Sequence, residues 1–205
     1  MKLIKNNGGK LSTGFLGVKP LLPALSETGH SDEAYKLLLS TTYPSWGCEV
    51  INGANTIWER WNSYIKGKGF ENNAGMNSFN HYAFGSVNES LFSDAAGIKV
   101  GQPGYKTFTI KPEIAKEGIN FVNAKYHSIN GEIVSSWKKV GNKLIVHFEI
   151  PVNTTADVFV PTSNQNKVIE SGTNVIQNPD YSIKGYKNVY LNMELGSGVY
   201  TFDVE

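Results

Sequence analysis

The residue pattern changes period near residue 98, and that change calls for two kinds of structure in one chain of 205 residues. Before it, apolar residues recur every three or four positions. After it, they alternate with polar residues in short runs bounded by Gly, Asn and Pro. Recurrence at three and four places side chains on one face of a helix. Alternation places them on one face of a strand.

The second half reads as about eight strands. TFTIKP, INFVNAKYHSI, GEIVSSWKKV, NKLIVHFEI, TADVFVP, NKVIES, KNVYLNMEL and GVYTFDVE are rich in Val, Ile, Thr and aromatic residues, the side chains that suit a pleated surface. Gly141-Asn142 centres one hairpin turn and Asn130-Gly131 another. Short strands at regular spacing predict an antiparallel β-sandwich over residues 99–205.

The first half reads as helices with long connections. Gly14 to Leu25 is apolar with helical recurrence, interrupted by Pro20 and Pro23, which break or begin helices. Thr28-Gly29 reads as a stop. Ser31 is a candidate N-cap for a helix with Asp32 and Glu33 in its first turn and Ala34, Tyr35, Leu37 and Leu38 as its buried stripe. Thr41–Gly53 reads as a loop, ANTIWERWNSYI as a short helix, and Lys66–Gly75 as a flexible polar connection. Met76–Ile98 is the longest helical candidate, with Phe79, Ala83, Val87, Leu91 and Ala95 recurring every four residues and Gly97 closing it. Three or four such helices make a poor free-standing bundle, and residues 1–98 read as part of something larger.

Bulk properties exclude some roles. Net charge is +1 with no basic run, which argues against a nucleic-acid partner, since phosphate binding needs clustered Lys and Arg. No run of eighteen apolar residues exists, so no membrane span is expected. The start, MKLIKNNGGKLSTG, has no apolar core of a secretory signal. Cys48 is the single cysteine; it reads as a small buried apolar residue. His30, His81, His127 and His147 are too dispersed for a local metal motif, so no metal or cofactor is expected.

Two stretches are unusual chemically. Thr56-Ile57-Trp58-Glu59-Arg60-Trp61 sets a Glu between two Trp beside an Arg. Such surroundings can tune a carboxylate; the plainer reading is a surface Glu on a short helix. Trp46, Trp58 and Trp61 cluster in sequence, and flat rings cover sugar faces as readily as they fill cores. Asn77-Ser78-Phe79-Asn80-His81-Tyr82 packs hydrogen-bonding side chains at a predicted helix start. Helix capping by Asn77 or Ser78 competes with ligand binding there. His81 is open between core residue, sugar ligand and acid/base.

These stretches resemble the bacterial α-L-rhamnosidases of glycoside hydrolase family 78. GANTIWERW (Gly53–Trp61) and MNSFNHYAFGSV (Met76–Val87) carry the likeness, with TGFLG, LLPAL and YPSW upstream. PGYKTFTIKP (Pro103–Pro112) resembles the strand leading into that family's C-terminal sandwich, and GSGVYTF its last strand. The resemblance covers nearly the whole chain. It implies an α+β multidomain chain: the end of an (α/α)6 barrel (residues 1–98) followed by an antiparallel β-sandwich (residues 99–205). It also implies inverting hydrolysis of terminal α-L-rhamnose, with Glu59 as general base and His81, Trp58 and Trp61 at the sugar.

Inversion needs two carboxyl groups roughly 6.5–9.5 Å apart. The family's general acid lies in a DCPQRDER-type motif, and nothing here resembles it. The resemblance therefore implies a piece of such an enzyme, carrying the base without the acid and inactive alone. A carbohydrate-binding or assembly module without hydrolytic activity is the alternative. An incomplete barrel would leave apolar faces such as those of Leu16, Leu21, Leu37 and Leu91 uncovered, which predicts a homo-oligomer through them.

Overall fold

The computed structural model describes residues 1–72 and 75–205. Asn73 and Ala74, within the predicted connection Lys66–Gly75, lie outside the described residues. The chain divides into two compact units, Met1–Ser90 and Leu91–Glu205.

The first unit holds helices α1 (Lys2–Asn6), α2 (Phe15–Glu27), α3 (Ser31–Leu39) and α4 (Trp46–Ile51). Its core joins Val18, Leu22 and Leu25 of α2 to Ala34 and Leu37 of α3, with Leu11, Trp46, Trp61 and Phe84. Val18, Leu22 and Leu25 follow one another at i, i+4 and i+7, which is one helix face. α2 runs unbroken through Pro20 and Pro23. Pro20 is exposed, so the Leu16 carbonyl it leaves without an amide partner is on the side open to water. Ser31 is the first residue inside α3, and His30 takes the cap position. Leu37, expected among the uncovered apolar residues, is 2% exposed and belongs to the core, whereas Leu16 is 96% exposed.

Three expectations for this unit need correction. The predicted loop Thr41–Gly53 contains α4, started by Ser45, whose hydroxyl accepts the Cys48 amide. The predicted helix over ANTIWERWNSYI is a run of turns and bends. The predicted helix Met76–Ile98 is helical only from Ala83: a 3-10 turn (Ala83–Ser86), then α5 (Val87–Ser90), then in the second unit a π turn (Leu91–Ala95). Residues 78–81 cannot be helical because their backbone groups are bonded elsewhere. The Ser78 carbonyl accepts the Glu59 amide at 2.9 Å, and the His81 amide donates to the Ile57 carbonyl at 2.8 Å.

The second unit is a sandwich of two sheets. Its strands are β1 (Ile98–Val100), β2 (Thr107–Ile110), β3 (Phe121–Ser128), β4 (Gly131–Val140), β5 (Lys143–Ile150), β6 (Thr155–Pro161), β7 (Val168–Glu170), β8 (Thr173–Asn174), β9 (Ser182–Lys187), β10 (Tyr190–Leu195) and β11 (Gly198–Val204). One sheet has the order β1-β2-β6-β10-β9 and the other β3-β4-β5-β11-β7-β8. Pairing is antiparallel except between β2 and β6, which run parallel. Each predicted strand has a counterpart; β1, β8 and β9 were not anticipated. Alternation is obeyed in β6, where Ala156, Val158 and Val160 face inward with no exposure. Ile133, Trp137, Val146, Phe148, Leu191, Met193 and Phe202 complete the core between the sheets. The hairpin at Gly141-Asn142 closes the register Val140↔Lys143.

Trp137 and Ser135 anchor the start of this unit. The Trp137 indole donates to the Ala95 carbonyl at 2.8 Å, and the Ser135 hydroxyl to the Ala96 carbonyl at 2.6 Å. Gly97 follows with φ +77°, and a Cβ there would lie 2.1 Å from the Lys111 carbonyl carbon. Only glycine suits that position.

Candidate active site in the helical unit

The two unusual sequence stretches meet in the first unit. Residues 56–59 and 78–81 are linked by four hydrogen bonds. The Glu59 amide donates to Ser78, the Ser78 amide donates back to the Glu59 carboxylate at 2.6 Å, and the His81 amide donates to Ile57. The Thr56 hydroxyl donates to the Phe79 carbonyl. Of the four, the bond from the Ser78 amide is the one that ends on a carboxylate, and bonds to carboxylates are short and strong. The four together fix the Glu59 side chain from both its own backbone and its neighbour's.

Further bonds brace the two loops. Ser63 closes the turn after Glu59, accepting the Arg60 amide at 3.1 Å and donating to the Arg60 carbonyl. The Asn77 side-chain amide donates to the Ser63 carbonyl at 2.8 Å. These irregular segments are thus held by side chain to backbone bonds in place of a helix ladder.

Aromatic rings form the floor. Trp61 stacks on Phe84 at 3.8 Å between centroids and meets Trp46 edge-on at 5.2 Å. Its indole donates to the Thr13 carbonyl, and that of Trp46 to the Phe84 carbonyl, both at 2.9 Å. A depression of about 260 Å³ opens above them, lined by Phe15, Tyr43, Glu59, Arg60, Trp61 and Phe84 among others. Glu59 is the single carboxylate in that lining. It is half-buried, so the carboxylate is held and still reachable.

The four residues singled out from sequence fall at different distances from this depression. Glu59 and Trp61 line it. His81 does not; its ring stacks at 4.7 Å on Phe15, which does. The Ala83 amide points at His81 Nδ1 from 3.4 Å. Trp58 is buried and packs edge-on against Phe79, behind the loop. Sequence reasoning passed over Ser78 as a carboxylate anchor, treating it as a helix cap. It also passed over Phe15, Tyr43 and Phe84. Nothing local marks those three, because they reach the site from separate segments.

Among the described residues, no group of three His, Cys, Asp or Glu is placed to hold a metal ion. No helix among them is long and apolar enough to cross a membrane.

A helical segment followed by a β-sandwich matches the C-terminal part of rhamnosidase structures, in which a six-hairpin glycosidase domain precedes an appended domain. Family models agree: the bacterial alpha-L-rhamnosidase 6 hairpin glycosidase domain matches residues 1–95, and the bacterial alpha-L-rhamnosidase C-terminal domain matches residues 97–174. The chain belongs to the bacterial α-L-rhamnosidases. An α-L-rhamnosidase of Streptomyces avermitilis is 37% identical over 98% of this chain, and one of Formosa agariphila 42% identical over 82%. The crystal structure of the Streptomyces avermitilis enzyme complexed with L-rhamnose superposes on the whole chain with a TM-score of 0.89 at 36% identity. The chain spans about a fifth of the length of these relatives, 19% and 18% respectively.

Proposed function

We propose that this chain supplies the general-base side of an inverting α-L-rhamnosidase site, acting on rhamnose-containing glycosides. Glu59 takes the proton from the water that attacks the anomeric carbon. Trp61 offers its ring to the sugar, and His81, braced by Phe15, contributes to the sugar site from beside it. Trp58 serves as packing behind Glu59. The observation that carries this reading is the Glu59 carboxylate, fixed by the Ser78 amide at 2.6 Å in a ring-lined depression.

A base needs a proton donor opposite it for inversion. No second carboxylate lines the depression among the described residues. We therefore assign the general acid to residues outside this chain and expect it to hydrolyse poorly alone. Losing a positioned acid typically costs about 10²–10⁴ in rate.

The test is hydrolysis of a chromogenic aryl α-L-rhamnoside by the chain and by Glu59→Gln. The reading expects both at or near the blank. Turnover by the wild type alone would keep the base and refute the missing acid. Equal turnover by both would remove Glu59 from the mechanism. The alternative, a binding or assembly module, gains ground if rhamnoside affinity survives Glu59→Ala and His81→Ala.

A further inference from the structure

The core of the sandwich is laid down rung by rung, and at one end it stops short. In the sheet of β4 and β5, Trp137 pairs with Val146, and the next inward rung is Lys139 with Leu144. Alternation turns these four side chains to one face, toward the other sheet. In the sheet of β6 and β10, Val160 pairs with Leu191. Beyond that rung the Thr162 amide donates to the Val189 carbonyl at 2.9 Å. Residues of both last rungs line an open cavity of about 380 Å³, within the size range of small-molecule sites.

The cavity has aliphatic walls, Ile114, Leu144, Pro161 and Val189. Its charges are Lys139 and Lys143, and no acidic side chain lines it. Lys143 is paired with Glu205 at 2.6 Å. Lys139 differs. Its ammonium donates to the Ala115 carbonyl and, at 3.0 Å, to the Lys116 carbonyl. The cation is thus held in place by backbone, without a carboxylate on it among the described residues. An ammonium has three donors, so one remains for a ligand. Asn142 and Ser163 add an amide and a hydroxyl to the lining.

The wall at Val189 is strained. Asn188 and Val189 form the two-residue turn between β9 and β10, at φ +51° and +60°. Such a turn favours Gly at its second position, and a β-branched residue there is an outlier. Val189 is also 59% exposed, so core burial does not offset the strain. What its side chain supplies is one wall of the cavity. Strain of this kind clusters at ligand clamps.

We propose that this end of the sandwich binds a small aromatic carboxylate, its ring between Leu144, Pro161 and Val189 and its carboxylate on Lys139 Nζ. The lining holds no aromatic ring to face a pyranose, so an acidic sugar fits less well. The site lies wholly in the second unit and does not depend on Glu59 being the base.

The experiment titrates the ¹⁵N-labelled full chain with cinnamate, with cinnamide, which keeps the ring and loses the charge, and with glucuronate, which keeps the charge and loses the ring. Cinnamate should shift the amides of Lys139, Asn142, Ser163 and Val189 with a Kd of about 1 mM or tighter. Cinnamide and glucuronate should each bind about tenfold more weakly or worse. Lys139→Met, which keeps the stem and removes the ammonium, should bring cinnamate down to the affinity of cinnamide. Val189→Gly relieves the turn and removes the wall, so it should melt higher and still bind cinnamate about tenfold more weakly. No shifts at about 10 mM cinnamate overturn the proposal. So does equal binding of cinnamate and either control, or a Val189→Gly chain that binds as the wild type does. If Lys139→Met does not fold, the two control ligands and Val189→Gly decide.

Discussion

The two units are stabilised differently, and the contrast explains where chemistry can reside. In the sandwich, side chains such as Val146, Phe148, Val158 and Phe202 have no exposure, and long ladders join β3 to β4, β4 to β5, β5 to β11 and β6 to β10. In the helical unit, residues 54–72 and 75–82 run as irregular turns and bends, with one isolated bridge between Ile65 and Gly69. They are held by Thr56, Glu59, Ser63, Asn77 and Ser78 bonding to backbone. Leu16, Met76 and Tyr82 stand 96%, 83% and 89% exposed. A sheet core tolerates no such irregularity. Irregular loops on a helical base can bring a carboxylate, rings and backbone amides to one point.

The largest way to break this contrast is in the sandwich core. Phe148→Ala should destabilise the second unit by about 3–5 kcal/mol, read by loss of the β-sheet signal in urea. Gly97→Ala should act through the backbone, costing about 3 kcal/mol or more, since its φ and its contact with Lys111 both exclude a Cβ. Hydrogen exchange should then accelerate across β1 and β2.

A smaller, pH-dependent effect belongs to the helical unit. The folded Glu49 carboxyl binds its proton more tightly than the ordinary value of 4.5. Its contribution is therefore full below 4.5 and lost as pH rises towards 8. Between pH 5 and 8.5 the wild type should lose about 1–3 kcal/mol that Glu49→Gln keeps, visible as a shift in urea midpoint. A wild type and variant that track each other across that range would contradict the buried-acid assignment.

Leu16→Ser should leave monomer stability within about 0.5 kcal/mol. We propose that the exposed apolar residues of this unit pair with a second copy, so the same change should lower the sedimentation coefficient at high concentration. An unchanged coefficient would remove Leu16 from that contact.

The sandwich was legible because a strand advertises itself locally. Alternation along GEIVSSWKKV and NKLIVHFEI marks both faces without reference to anything distant, and β4 and β5 begin and end within a residue of those runs. β8 and β9 escaped notice because one has two residues and the other is exposed at every position. The helical unit was legible at α2 and α3, whose stripes bury in one another. It was misread at Met76–Tyr82, where a recurrence of four is overridden by bonds to residues twenty positions earlier. The family was legible through the two motifs that hold Glu59 and His81. Ser78, which bonds Glu59, looked like a cap because only the fold brings its amide to the carboxylate.

The central claim is that the two motifs form one sugar site around Glu59. Its most direct test is residue-resolved NMR of the labelled chain during titration with L-rhamnose. The account predicts shifts concentrated at Phe15, Glu59, Arg60, Trp61, Ser78 and His81, and their loss in Glu59→Ala. Shifts confined to the strands of the sandwich, with those residues silent, would contradict it.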